Sequence, residues 1–324
     1  MKLEVGAVYR CCAAAWFLLT LSPIPYSLTP VAAAQPNLTA QIDALLDVPA
    51  YEDAHWGVQV VNLESGQTLY RRDESKLFIP ASTQKLLTTA AALDLLGPTF
   101  RYVTPLYLDG RIEGSTLVGN LVVRGVGDQT IGGRYNEGDK KLNFRAWADA
   151  LRARGITRIT GEILGDDDVI DETALGPAWS WDDLPFYYAA EIAGLSYNEG
   201  TVELLVEATT PGQPTRITWE PAMTPYVRGE NTSQTAVAGT PYDEGYARDL
   251  SGNTITVSST VAAGRQDFEA IAVHNPTAYF AQVLLETLET QGIEVDGQAF
   301  AADALSEATF DYAQMAPLAS HASP

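Results

Sequence analysis

The sequence predicts an α+β protein in which a β-hairpin and an apolar helix are followed by a long β-rich insertion. Three observations carry this prediction. Trp56-Gly57-Val58-Gln59-Val60-Val61 and Gln67-Thr68-Leu69-Tyr70 flank the turn residues Glu64-Ser65-Gly66, which reads as a hairpin. Ser82-Thr83-Gln84-Lys85 then opens a mostly apolar run to Leu96, with Pro80 before it and Gly97-Pro98 after it as helix start and stop. Beyond Phe100 the texture changes to short alternating segments separated by glycine-rich turns. With 324 residues the chain can bury a sizeable core and has room for more than one domain.

Taken in order, residues 1–34 read as an export signal. Lys2 and Arg10 give a basic start, Cys11 to Leu21 an apolar core too short for a membrane span, and Ala32-Ala33-Ala34 a cleavage site. Both cysteines fall inside this segment, so the mature chain has no disulfide and no thiol chemistry. Residues 35–99 form the first segment, with a helix over about Asn37 to Asp47, the hairpin and the Ser82 helix. Residues 100–275 form the insertion, with strands expected at Tyr102–Leu108, Thr116–Val123, Arg158–Leu164, Thr201–Ala208 and Thr254–Val261. A helix capped by Asn143 runs to Arg154 and stops at Gly155. A second, capped by Asn275 with Pro276 at its first position, stops at Gly292. Both helices lead into a Gly-Ile-strand unit, and residues 276–324 hold the second of these. Pro221 to Gly264 is polar and turn-rich and reads as a sub-module or a mobile hairpin region.

The chemistry concentrates at Ser82 and Lys85. Residues three apart share a helix face, so a hydroxyl and an amine meet there without tertiary help. A lysine takes a serine proton only when its amine is neutral, which desolvation favours. Leu86, Leu87, Ala90, Ala91, Leu93 and Leu95 are expected to keep this ridge dry. The pair therefore suits acyl transfer. An ordinary serine cap with a solvated lysine one turn on explains the same tetrapeptide, so the context has to decide.

Six segments supply that context. They are Pro80-Ala81-Ser82-Thr83-Gln84-Lys85-Leu86; Gly119-Asn120-Leu121 with Gly125-Val126-Gly127-Asp128; Gly155-Ile156-Thr157-Arg158-Ile159-Thr160-Gly161; Trp179-Ser180-Trp181-Asp182-Asp183-Leu184-Pro185; Ala193-Gly194-Leu195-Ser196-Tyr197-Asn198-Glu199; and His274-Asn275-Pro276-Thr277. On these the chain resembles the D-Ala-D-Ala carboxypeptidase/endopeptidase type of low-molecular-mass penicillin-binding protein, serine peptidase family S13, from about Trp56 to Ala319. The resemblance implies an incomplete penicillin-binding/β-lactamase-like serine acyl-transferase domain interrupted by the β-rich insertion. Ser82 would be the nucleophile and Lys85 its base. The substrates implied are peptidoglycan stem or cross-link peptides, and β-lactams would acylate the same serine. The implied location is outside the inner membrane, in the periplasm or the cell wall, with no transmembrane anchor once the signal is removed.

The resemblance also exposes a departure. The family adds Ser-x-Asn for proton transfer to the leaving amine and Lys-Thr-Gly for the substrate carboxylate, yet no Lys-Thr-Gly or His/Arg version of it occurs in this sequence. Ser196-Tyr197-Asn198 matches Ser-x-Asn literally but reads as a turn into the strand at Val202, and Ser251-Gly252-Asn253 as a hairpin turn. An amino-terminal fragment of a longer enzyme, feeble by itself, is the expectation. An acid of the insertion that meets the amine of a diaminopimelate-like side chain is implied by the family, and Asp166 is its nearest match, within Asp166-Asp167-Asp168. Trp179, Trp181, Tyr187 and Tyr188 fill turns or line a peptide groove.

Other classes are disfavoured. A net charge of −21 opposes nucleic-acid and anionic-membrane partners. His55, His274 and His321 lack metal-ligand spacing, and neither a metal nor a cofactor is expected. The Gly125–Asp128 turn lacks the lysine of a phosphate loop and reads as structural. A non-catalytic exported module that binds cell-wall peptide, or a β-lactamase- or esterase-like hydrolase, remains as the alternative.

Overall fold

The computed structural model describes residues 37–170, 173–221, 224–305 and 310–324, so the predicted export signal with Cys11 and Cys12 lies outside the described residues. Chain contacts divide the protein into a first unit ending at Ala92 and a second beginning at Leu93.

In the first unit, α1 (Leu38–Leu46) starts at Asn37, whose side chain accepts from Ala40 N at 2.8 Å. Strands β1 (Val58–Val61) and β2 (Thr68–Arg72) pair antiparallel, as the alternating residues predict. Asn62 closes their turn by accepting from Glu64 N and Ser65 N, both at 3.0 Å. Tyr70 donates its hydroxyl to Asp43 at 2.5 Å and ties the hairpin to α1. Helix α2 (Gln84–Leu96) follows a 3-10 turn over Ala81–Thr83.

The second unit is built on one mixed sheet. Strands β3 (Val103–Glu113) and β4 (Thr116–Arg124) form a long antiparallel pair. Helix α3 (Leu142–Ala153) leads through Gly155, at φ +83°, into β5 (Arg158–Ile159) and then β6 (Ile163–Asp166), both parallel to β4. Sequence alternation predicts one strand over Arg158–Leu164, but the chain breaks it at Gly161. A Cβ there would lie 2.3 Å from Asn120 Oδ1 and 2.6 Å from Gly119 O, so only glycine permits this approach. The expected cap at Asn143 is corrected: the helix begins at Leu142 with Lys141 in the cap position, and Asn143 is buried within it. Its amide is taken by tertiary partners, accepting from Asn136 Nδ2 at 2.7 Å and donating to His321 Nδ1 at 2.8 Å.

Further strands are β7 (Thr201–Glu207), β8 (Arg216–Glu220), β9 (Arg228–Asn231), β10 (Gln234–Ala236), β11 (Tyr246–Arg248), β12 (Thr254–Val257), β13 (Thr260–Ala262) and β14 (Gln266–Ala272). They make a three-stranded sheet β14-β7-β8, a second β11-β12-β9 and a parallel pair β10-β13. The single strand expected over Thr254–Val261 is thus two, β12 and β13, in different sheets. Ser251-Gly252-Asn253 lies in the turn joining the antiparallel β11 and β12. Helix α4 (Pro276–Thr290) begins as predicted at Asn275, which accepts from Ala278 N at 2.9 Å. It feeds β15 (Glu294–Val295), parallel to β5, so the two Gly-Ile units lie side by side. Strand β16 (Ala299–Ala301) then joins β6, and β17 (Ala319–Ala322) pairs with the free side of β3.

The core lies where α3 and α4 meet this sheet. Phe144 stacks on Tyr197 at 5.1 Å between ring centroids and meets Phe280 edge-on at 4.8 Å. Leu121, Ile163, Leu151 and Leu284 are fully buried around them.

Candidate active site

Local backbone chemistry sets the Ser82 turn. Pro80 caps it and accepts from Thr83 N at 3.0 Å and Thr83 Oγ1 at 2.5 Å. Ala81 sits in the left-handed region at φ +44°, a conformation that strains a residue bearing a Cβ and clusters at functional sites. The next turn carries Lys85, and its Nζ donates to Ser82 Oγ at 2.9 Å. The i, i+3 meeting expected from the sequence is therefore present.

The dry ridge is not. Ser82 and Lys85 are exposed, α2 has no buried residue, and Leu86, Leu87, Leu93 and Leu95 are 73%, 66%, 55% and 79% exposed. Apolar side chains occur on every face of this helix, so burying it takes packing partners on several sides. The described residues do not supply them.

Asp166 lies in the second unit. It is buried at the end of β6, where Oδ1 accepts from Asp168 N at 3.1 Å and Oδ2 accepts from the Tyr312 hydroxyl. A cavity of about 320 Å³ opens beside it, lined also by Arg124, Asp168, Asp303 and Phe310. Arg124 lies over the Tyr312 ring at 4.6 Å. Asp167 faces another way, accepting from Thr277 Oγ1 at 2.6 Å, and burial pushes its carboxyl above the ordinary value. The tyrosines and tryptophans of the next segment are open: Trp181, Tyr187 and Tyr188 are 74%, 61% and 59% exposed. Tyr188 donates to Asp183 at 3.0 Å and stacks on Phe186.

Ser196-Tyr197-Asn198 is a structural turn. Ser196 and Tyr197 are buried, and Asn198 and Glu199 take φ +49° and +59° at the entry to β7. Asp128 is likewise internal, its Oδ1 accepting from Thr130 N at 2.8 Å and Thr130 Oγ1 at 2.7 Å.

Sequence reasoning missed one buried polar cluster. Glu191 accepts from His274 Nδ1 and Asn275 N, each at 2.9 Å, and lies 3.5 Å from Arg248 Nη2. Burial pulls the Arg248 guanidinium below its ordinary value while Glu191 pushes it back up. The one signal available was an acid set among Ala190, Ile192 and Ala193. The cluster fixes the left-handed Asn275 that starts α4, at φ +54°. Among the described residues no group of three or more His, Cys, Asp or Glu could hold a metal ion, and no helix is long and apolar enough to cross a membrane.

The fold is that of penicillin binding protein 4 (dacB) from Haemophilus influenzae: its crystal structure matches with a TM-score of 0.68 at 25% identity, over 82% of this chain and 56% of that one. The same protein complexed with a novel β-lactam matches with a TM-score of 0.59 at 23% identity, over 82% of this chain and 54% of that one. Among curated relatives, a D-alanyl-D-alanine carboxypeptidase of Actinomadura sp. is 30% identical over 268 residues, 81% of this chain and 48% of the relative. D-alanyl-D-alanine carboxypeptidase DacB of Haemophilus influenzae is 27% identical over 256 residues, 76% of this chain and 50% of the relative. The chain thus spans about half the length of the curated relatives it matches. The profile of the D-Ala-D-Ala carboxypeptidase 3 (S13) family matches residues 38–324, and the chain belongs to that family.

Proposed function

We propose that this chain carries the nucleophile and base of a serine-type D-Ala-D-Ala carboxypeptidase/endopeptidase that trims peptidoglycan peptides outside the inner membrane. The observation that carries the reading is the 2.9 Å contact of Lys85 Nζ with Ser82 Oγ on a helix of this family. Ser82 Oγ attacks the carbonyl of the penultimate D-Ala, and its proton passes to a neutral Lys85 amine. The C–N bond then breaks, the leaving D-Ala or cross-link amine takes that proton, and water hydrolyses the serine ester. A β-lactam carbonyl would be attacked by the same route, and the β-lactam complex of a fold relative supports this. For the amine to be neutral the α2 ridge has to be covered. The absence of Lys-Thr-Gly from this sequence leaves the substrate carboxylate without its cation, so we expect slow acylation by the 324-residue chain itself.

Asp166 belongs to the same proposal as the acid facing an ammonium on the peptide side chain, because it borders a cavity large enough for one. Exposed Trp181, Tyr187 and Tyr188 would give a peptide its apolar contacts. A non-catalytic wall-binding module is the second reading, favoured by the exposure of Ser82 and Lys85.

Mass spectrometry after incubation with fluorescent penicillin tests the reading. An adduct on the Ser82 peptide, lost in Ser82→Ala, is expected in the chain extended to the length of its relatives. No adduct there, or one that survives the substitution, rejects it. Binding of muropeptides without turnover would select the second reading.

A further inference from the structure

The second unit holds a cavity of about 450 Å³ whose lining mixes Pro241, Tyr242, Val261, Arg265, Gln266 and Asp267. That volume falls within the range of small-ligand sites, roughly 300–1,000 Å³. Two turns shape it. Gly239 takes φ +87° and Thr240 N bonds to Val237 O at 3.2 Å; Gly264 takes φ +78° and Arg265 N bonds to Ala262 O at 3.0 Å.

Asp267 is held in a defined orientation. Its Oδ2 accepts from the Tyr242 hydroxyl at 2.5 Å and from the Tyr246 hydroxyl at 2.6 Å. Burial, then the hydrogen bond to Asp267, pushes Tyr242 up to about 12 and Tyr246 higher still, so both remain O–H donors at neutral pH. Oδ2 is therefore filled, whereas Oδ1 has no hydrogen-bond partner among the described residues. Arg265 is exposed, and its guanidinium also has no partner among them. The cavity so presents one free acceptor, one free set of donors and the half-exposed ring of Tyr242.

This combination discriminates between ligands. A simple anion drawn to Arg265 meets the Asp267 carboxylate, and a simple cation drawn to Asp267 meets Arg265. An apolar ligand would strand both charges. A neutral polyhydroxylated ligand satisfies both, giving a hydroxyl proton to Oδ1 and accepting from the guanidinium through oxygen. We propose that this cavity binds a pyranose unit of a neutral N-acetylated glycan. Its C–H face lies on Tyr242, a hydroxyl donates to Asp267 Oδ1, and the acetamide carbonyl accepts from Arg265 while its methyl meets Pro241 and Val261. The site needs nothing from Ser82 and stands apart from the acyl-transfer reading.

An NMR titration of the 324-residue chain with tri-N-acetylchitotriose tests it. Saturable amide shifts confined to residues 239–242 and 260–267, with a dissociation constant of about 1 mM or tighter, are expected. Arg265→Gln removes only an unpartnered exposed side chain, so it leaves the fold intact and is expected to weaken binding about tenfold. Asp267→Asn should do the same. No saturable shift at about 10 mM sugar overturns the proposal, as do shifts centred elsewhere or unchanged affinity in Arg265→Gln. Acetate or putrescine saturating the same amides more tightly than the sugar also overturns it, since that marks an ion site.

Discussion

At the scale of single residues, the contact of Ser82 with Lys85 needs only helix geometry, whereas drying the amine needs packing partners distant in sequence. Two outcomes follow from the pair. Lys85→Ala should lower the rate of penicillin acylation about 10²- to 10⁴-fold, the usual range for loss of a positioned base. Lys85→Arg should not restore it, since a guanidinium stays protonated; stopped-flow labelling measures both. The left-handed Ala81 gives another prediction. Ala81→Val places a β-branched side chain at φ +44°, so it should disfavour the Ser82 turn by about 1–3 kcal/mol and slow penicillin labelling, while Ala81→Gly is tolerated. In sequence Asp166, Asp167 and Asp168 carry no alternation; in the fold they differ in burial, with Asp166 buried, Asp167 half-buried and Asp168 exposed.

At the scale of elements, caps and stops were legible where they are local. Asn275-Pro276 and the glycines at 155 and 292 mark helix ends through backbone preference alone. Asn143 was misread because its amide serves a contact 178 residues away in sequence, with His321. That contact makes β17 sensitive to pH. Neutral His321 accepts from Asn143 at Nδ1, leaving Nε2 as the donor facing Thr130 Oγ1 at 3.2 Å and Asp128 Oδ2 at 3.5 Å. Burial pulls its pKa below the ordinary 6.5, with Asp128 opposing. A depressed value means that the unfolded chain binds the proton more readily. The stabilisation is therefore complete above 6.5 and is lost as pH falls through the lower folded value. Urea midpoints measured from about pH 5 to 7.5 should rise with pH, and His321→Gln should flatten the rise. Asp167, raised by burial, adds slope of the opposite sign nearer the carboxylate range, so the difference between the two proteins isolates the histidine.

At the scale of the whole molecule, six short segments were enough to point to the family, while the strand splits at Gly161 and between β12 and β13 arise from sheet contacts invisible to local patterning. The two units differ in how much they bury. Tyr70 is the one buried residue among the described residues of the first unit, whereas β4, β6 and α4 of the second hold a continuous apolar core. Stability within a protein follows buried apolar contact, so amide exchange should divide the chain near residue 92. Amides of β1, β2 and the first turns of α2 should open at a cost near 0 kcal/mol, and those of β4 and α4 only at the full unfolding cost, roughly 5–15 kcal/mol. Hydrogen exchange read by mass spectrometry makes the comparison in one experiment. Equal protection across the division would mean that α2 is covered in solution, and the exposed Ser82–Lys85 pair would then be drier than this structure shows. Uneven protection, reversed when the chain is extended to the length of its relatives, would tie the drying of Lys85 to the added residues.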